Sequence, residues 1–331
     1  MNLKVAYRSY RREFRPPLRT AHGEWNVREG FIVRMESDKA VAYGEIAPIP
    51  DFGTETTERA AKFLEQWVAD PIIMPSGLPC CTFALTSAMQ QLKQPAESGK
   101  RDYPVAGLLP SGADAPLVAR KKLADGYTTL KWKIGVHAFE AEREILEDLL
   151  GLLPKETSLR LDANGGLTRK ELESWLEVLS QSVGQIDYFE QPLPPGEEGV
   201  MAELAEASKI PIALDESLNM PGRGRWLTPA AWDGPLVVKP LLMGNVAPLL
   251  EQLRPLAGQL VFSSVFETGI GLSQALALAD AVPGIKYAIG FDTIAAFSDD
   301  LAGLAPGALL SAKGRAKTNL EAIWNQLHPS N

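Results

Sequence analysis

Cysteine and histidine are almost missing from this chain. Its 331 residues include two cysteines, Cys80 and Cys81, and three scattered histidines, His22, His137 and His328. Neighbouring cysteines very rarely pair with each other, so a disulfide framework is excluded and a reducing cytoplasm is the expected setting. So few histidines argue against a histidine-rich metal site and against a Ser-His-Asp triad. An excess of basic charge is missing as well. The 33 Lys and Arg face 41 Asp and Glu, a formal net charge of −8 without basic runs, which argues against a nucleic-acid partner. No apolar stretch approaches the ~18 residues of a membrane span, so no membrane partner is expected. The opening MNLKVAYRSYRREFRPPLRT has no apolar core of the kind that marks a secretory signal. What remains, 45% hydrophobic and 22% charged, is an ordinary globular composition and excludes disorder, collagen and coiled coil. The length suits two domains, although an α/β barrel uses about 250 residues as one.

Two patterns divide the chain. Residues 3–15, 31–37 and 40–47 alternate as short strands joined by turn-rich segments, including His22–Arg28, and are expected to pair antiparallel. Helical stretches follow at 54–69, with Thr54 placed to cap it, and at 82–93. Strands followed by helices make an α+β unit, 1–102. From 103 onward, β-rich runs recur at 104–108, 129–134, 159–163, 187–191, 211–216, 236–240, 260–264 and 286–290. Helical segments lie between them. The clearest is Thr168–Ser182, with a Thr168/Glu171 capping box and a stripe of Leu172, Trp175, Leu176 and Leu179. Eight such units predict a (β/α)8 barrel over 103–290, with 291–331 returning to complete the N-terminal domain.

Barrel strands are buried on both faces and should be apolar, so charges at their C-terminal ends point to the active-site mouth. Five consecutive runs carry them: Lys133 (with Lys131 before it), Asp162, Glu190, Asp215 and Lys239, spaced 29, 28, 25 and 24 residues apart. A single acid at a strand end is more often a cap or a loop salt bridge. Five in phase are not explained that way. Three carboxylates without His or Cys form a hard oxygen site suited to Mg²⁺ or Mn²⁺. Lys133 and Lys239 flank it, and a lysine beside a divalent cation and other lysines is pushed towards the neutral form that a general base needs. Such an arrangement suits removal of a proton α to a carboxylate, with the negative charge stabilised by the cation and the second ammonium.

The segments KWK (131–133), LDAN (161–164), EQP (190–192), LDES (214–217) and VKP (238–240) resemble the enolase superfamily and its muconate-cycloisomerase-like subgroup. The resemblance spans nearly the whole chain, with the N-terminal part similar to the superfamily's capping domain and GEIAPIPDFGTET (44–56) to its active-site loop. Within the subgroup, Arg160 before LDAN, the GEIAP segment and Ser263-Ser264…Glu267 resemble the o-succinylbenzoate synthase family. That resemblance implies Asp162, Glu190 and Asp215 as Mg²⁺ ligands, Lys133 as acid and base, Lys239 as its partner on the opposite face, and Lys131 as electrostatic support. Asn164 and Asp187 fall outside the implied ligand set. The implied reaction is dehydration of a small carboxylate, 2-succinyl-6-hydroxy-2,4-cyclohexadiene-1-carboxylate, in menaquinone or phylloquinone synthesis.

Other residues carry two readings each. Arg160 shares a strand face with Asp162 and either pairs with a substrate carboxylate or forms a structural salt bridge. Ser263 and Ser264 contact substrate or cap the next helix. Gly269, in ETGIGL, reads as a close-approach turn near the substrate. Phe52 shields the site or packs on the barrel, His137 belongs on a loop surface, and Cys80-Cys81 in the core. Amino-acid racemisation or dipeptide epimerisation on the same scaffold is the alternative, and a catalytically silent barrel would have lost some of the five charges. Epimerases of this kind are expected to hold an α-ammonium with an Asp-x-Asp pair after the eighth strand. Here AIGFDT offers Asp292 alone.

Overall fold

In the computed structural model residues 3–20, 23–93 and 101–327 are described; His22 and His328 lie outside them. The chain begins with an antiparallel sheet, β1 (Lys4–Thr20), β2 (Gly23–Glu36) and β3 (Val41–Ile46), in that spatial order. Both faces of this sheet are covered, which explains why FIVRM reads as a nearly continuous apolar run. Phe31, Val33 and Met35 join the main core, whereas Ile32, Tyr10 and Tyr43 pack with Ile270, Ile323 and Trp324. Pairing of β1 with β2 outlasts the expected boundaries. After an irregularity between Glu13 and Leu18 it resumes as far as Thr20 opposite Gly23, with Leu18 opposite Trp25. Residues 23–28 of the segment expected as a turn therefore belong to β2, at the far end of a long hairpin.

Helices α1 (Thr57–Ala69) and α2 (Pro79–Lys93) follow. The cap of α1 is Thr56, which accepts from the Arg59 amide. Thr54, two residues early, instead accepts from the Ile49 amide at 2.8 Å. At α2 the buried Glu55 carboxylate receives the amides of Cys80 and Cys81, at 3.1 and 2.8 Å, so both cysteines are core residues at a helix N-terminus.

After the two-residue β4 (Tyr103–Pro104) comes the barrel: β5 (Gly107–Leu109), α3 (Ala115–Ala124), β6 (Thr129–Lys133), α4 (Phe139–Leu152), β7 (Ser158–Asp162), α5 (Arg169–Leu179), β8 (Ile186–Glu190), α6 (Glu198–Ser208), β9 (Ile212–Ala213), β10 (Leu236–Val238), α7 (Val246–Leu253), β11 (Leu260–Phe262) and α8 (Gly269–Asp280). β5 to β9 form one parallel sheet, and a Leu214–Leu236 bridge joins it to the β10–β11 pair. The expected eighth strand at 286–290 is reduced to two residues. Ile289 bridges to Val105 and Gly290 to Ser263, which closes the ring. Ile289 donates its amide to the Pro104 carbonyl, but proline has no N–H to return, so the ladder cannot extend along that edge. No α-helix connects β9 to β10; short 3₁₀ turns at Glu216–Leu218 and Arg223–Arg225 occupy that crossover.

The chain ends through β12 (Leu309–Leu310), which pairs with β4, then α9 (Ala312–Arg315) and α10 (Leu320–Gln326). The Arg8 guanidinium donates to the Trp324 carbonyl and lies 4.4 Å from the centre of its ring, tying α10 to the N-terminal sheet.

The Thr168/Glu171 capping box is present on α5, and Leu172, Trp175, Leu176 and Leu179 are its buried residues. Thr168→Ala should lower stability by about 1 kcal/mol, the usual worth of such a cap, and leave catalysis unchanged. Urea unfolding monitored by circular dichroism beside steady-state kinetics checks both.

Candidate active site

Parallel register brings the charged strand ends together. Lys133 lies opposite Asp162, and Asp162 opposite Glu190. The Lys131 ammonium lies between two acids, 2.9 Å from Asp162 Oδ2 and 2.7 Å from Glu190 Oε1. Lys133 Nζ donates to Asn164 Oδ1 at 2.8 Å. Lys239, just past β10, pairs closely with Asp215, whose own amide donates to Gln191 Oε1 at 2.9 Å. Asn164 and Gln191 both have positive φ, 46° and 32°. Strained backbone of this kind collects at functional sites, and here it lies directly past the strand ends that carry Asp162 and Glu190.

Most of these groups line one solvent-open cavity. Lys131, Lys133, Asp162, Asp215 and Lys239 line it, with Asn164, Ser263, Ser264 and Asp292. Its apolar wall comes from Leu18, Trp25, Phe52 and Phe266. Leu18 and Trp25 come from the end of the N-terminal hairpin, so the first sheet completes a cavity that the barrel begins.

Burial and mutual repulsion set the charges. Burial raises the Glu190 carboxyl to about 7, and Asp162 and Asp215 add to the effect against Lys131 and Lys239. Burial also works against Asp162, but Lys131 and Lys133 hold it below the usual carboxylate range. For Lys239, burial alone would favour the neutral amine; Asp215, Glu216 and Glu190 outweigh it and raise its pKa.

A divalent cation would need carboxylate oxygens free of other partners. Among the described residues no three acidic, His or Cys side chains form a ready cage, because Lys131 and Lys239 pair with the carboxylates. However, Glu190 Oε2 and Glu216 Oε2 are buried without a hydrogen-bond partner. Buried acceptors left unpaired are costly, and a cluster of carboxylate oxygens with unused lone pairs matches the chemistry of a hard cation. The residues fit.

Two expected substrate contacts move elsewhere. Arg160 is fully buried: its Nε lies 2.7 Å from Asp187 Oδ2, Nη1 donates to the Ala288 carbonyl, and the guanidinium lies 4.7 Å from the Tyr188 ring centre. It is absent from the cavity lining. Gly269 is a close-approach residue, but what approaches is the Ala302 carbonyl, 2.4 Å from where a Cβ would stand, and not the cavity. Ser263 and Ser264 do line the cavity, and Ser264 Oγ also donates to Glu267 Oε2 and accepts from the Phe266 amide. Phe52 lines it with its ring centre 4.8 Å from Lys239 Nζ. His137 is exposed on its loop.

Sequence reading missed Asn164, Glu216 and Gln191. Each lies within two residues of an acid already singled out, and that proximity was the available signal. Asn164 joins Lys133 to Glu216 Oε1, its Nδ2 donating at 3.1 Å. Gln191 accepts from the amides of Asp215 and Ser217 and fixes their loop.

The Enolase C-terminal domain-like family matches residues 115–316, and the MenC, N-terminal domain family matches 17–92. An o-succinylbenzoate synthase of Thermosynechococcus vestitus is 36% identical over 277 residues, 81% of this chain and 86% of that protein. The chain belongs to the o-succinylbenzoate synthase family, within the enolase superfamily. An o-succinylbenzoate synthase of Aliivibrio salmonicida is 32% identical over 90% of this chain and 91% of its own length. The crystal structure of the o-succinylbenzoate synthase from Thermosynechococcus elongatus, with magnesium in its active site, superposes with a TM-score of 0.82 at 32% identity, covering 98% of this chain and all of that one. The L-Ala-D/L-Glu epimerase of Bacillus subtilis has a TM-score of 0.78 at 20% identity over 94% of this chain and 96% of its own, a likeness of fold.

Proposed function

We infer that this chain is an o-succinylbenzoate synthase, a hydro-lyase acting in menaquinone or phylloquinone synthesis in the cytoplasm. The carrying observation is one cavity lined by Lys133, Asp162, Asp215 and Lys239, from successive strand ends of the barrel. Glu190 lies directly behind the Lys131 ammonium. Its substrate is 2-succinyl-6-hydroxy-2,4-cyclohexadiene-1-carboxylate and its product 2-succinylbenzoate. Asp162, Glu190 and Asp215 would hold Mg²⁺, with Mn²⁺ as a substitute. When bound, the cation supplies Lewis-acid stabilisation of negative charge on the substrate carboxylate.

Lys133 removes the ring proton α to the carboxylate, and the electron pair moves into the carboxylate as an enediolate. The resulting Lys133 ammonium then returns that proton to the departing hydroxyl, releasing water and leaving an aromatic ring. A single residue does both only if proton and hydroxyl leave from the same face, a syn elimination. Asn164 orients Lys133 through its Oδ1. Lys131 and Lys239, whose carboxylate neighbours favour the ammonium form, stabilise the developing charge. Trp25, Phe52 and Phe266 give the substrate ring an apolar wall to pack against.

Asp292 favours this reaction over dipeptide epimerisation. Its carboxylate already accepts from the Leu108 amide, Lys122 and the Tyr127 hydroxyl, so a substrate ammonium would find no free acid there. Rapid loss of the diene's ultraviolet absorbance is expected, with little exchange of dipeptide α-protons in D₂O. Fast deuterium incorporation into a dipeptide or N-acyl amino acid, with no change in the diene, would reverse the assignment.

A further inference from the structure

We propose that Arg28 is a positioning residue that fixes the apolar wall of the substrate cavity. The inference rests on the reaction assigned above. Arg28 lies on β2, is 5% exposed, and directs its guanidinium at backbone carbonyls in separate parts of the chain. Nε donates to Val265 at 2.9 Å, Nη1 to Pro48 at 2.6 Å and to Glu29 at 3.1 Å, and Nη2 to Ala47 at 2.6 Å.

Each distant contact adjoins a residue of the wall. Val265 immediately precedes Phe266, whose φ of 62° is a conformation that a phenylalanine holds only under constraint. Ala47 and Pro48 begin the loop that carries Phe52. Arg28 itself follows Trp25 by three residues on the same strand, and the Trp25 and Phe266 rings meet edge-on with centres 6.4 Å apart. One side chain thus joins the hairpin, the capping loop and the loop after β11, and each of these presents one ring to the cavity.

The chemistry requires arginine in particular. A planar guanidinium offers five N–H donors in fixed directions, enough for carbonyls arriving from several sides, whereas a lysine ammonium is a single point. Without those donors the carbonyls of Ala47, Pro48 and Val265 would be left underpaired in the interior, and the loops would shift to reach water. The charged groups do not depend on this clamp: Lys131 and Lys239 are held by carboxylates and Lys133 by Asn164. Loss of Arg28 should therefore weaken substrate binding more than it slows the chemical step.

The test uses Arg28→Lys and Arg28→Met in the full chain, with two measurements. In steady-state kinetics on the succinyl-hydroxycyclohexadiene carboxylate, Arg28→Met should raise KM about tenfold with a much smaller change in kcat, and Arg28→Lys should lie between it and the parent. In amide hydrogen exchange, residues 47–54 and 265–271 should exchange about tenfold faster while β6 to β8 are unchanged. Reduced kcat at unchanged KM, with a lower melting temperature, would mean that Arg28 only supports folding and would overturn the proposal. Unchanged KM and unchanged exchange would overturn it as well. Should Arg28→Met not fold, Arg28→Lys carries the same criteria. A parent protein inactive on this substrate would refute the assigned reaction, and exchange in the two loops would still decide the role of Arg28.

Discussion

Lys133→Ala should be nearly inactive while remaining folded. General acid–base groups commonly contribute ~10²–10⁴-fold, and a residue that both removes the proton and returns it has no substitute in this cavity. Lys133 is only half-buried and donates to Asn164, and Lys131 stays paired with the buried Asp162, so truncation of Lys133 should move the melting temperature little. Lys133→Arg sharpens the test, because a guanidinium keeps the positive charge and cannot lose it to act as a base. It should be as inactive as the alanine variant. Lys239→Ala should also lose most activity but behave differently in unfolding. Lys239 is 8% exposed and offsets the buried Asp215 and Glu216, so its loss should lower stability measurably. Steady-state rates and thermal scans on the three variants separate these outcomes. Activity within tenfold of the parent for Lys133→Arg would remove Lys133 from the acid–base role.

Chelation should abolish turnover, and either Mg²⁺ or Mn²⁺ should restore it. The informative variant is Glu190→Gln. Burial already raises the Glu190 carboxyl to about 7, so the neutral amide should be tolerated by the fold, at little cost or with a small gain. What it should lose is the cation. Changes around a metal's ligands typically cost about 10–100-fold in affinity, and removal of a direct ligand should exceed that. Calorimetric Mg²⁺ titration of the parent, Glu190→Gln, Asp162→Asn and Asp215→Asn reads this without reference to activity. Equal Mg²⁺ affinity in all four would refute the carboxylate site, as would full turnover in excess chelator.

Much of this was legible from spacing. A repeat of 24–29 residues between charged strand ends is a local property, because each unit holds one strand, one helix and two loops. In-phase charges at strands otherwise apolar then marked the mouth of the barrel. The positions of Arg160 and Gly269 were not legible. Strand parity does place Arg160 on the same side as Asp162, but two residues at ~3.3 Å each put it about 7 Å deeper, in the barrel floor. Parity gives a side and not a depth, and Asp187 and Tyr188 on the next strand took the guanidinium. Gly269 needed knowledge of the C-terminal segment that passes over it.

Periodicity, caps and strand-end charges are short-range features, so the chain alone specified the barrel, the capping box at Thr168 and the ring from Lys133 to Lys239. Contacts between distant segments settled the rest. The eighth strand shrank to a pair of bridges because its neighbour Pro104 has no amide to offer. The hairpin of β1 and β2 extended far enough to lay Leu18 and Trp25 against the cavity. Asp215, Glu216 and Glu190, arriving from two other strand ends, favour the protonated form of Lys239 against the burial that favours a neutral amine. Hydrogen-bond partners and electrostatic fields depend on distances between residues far apart in the chain, and only folding sets those distances.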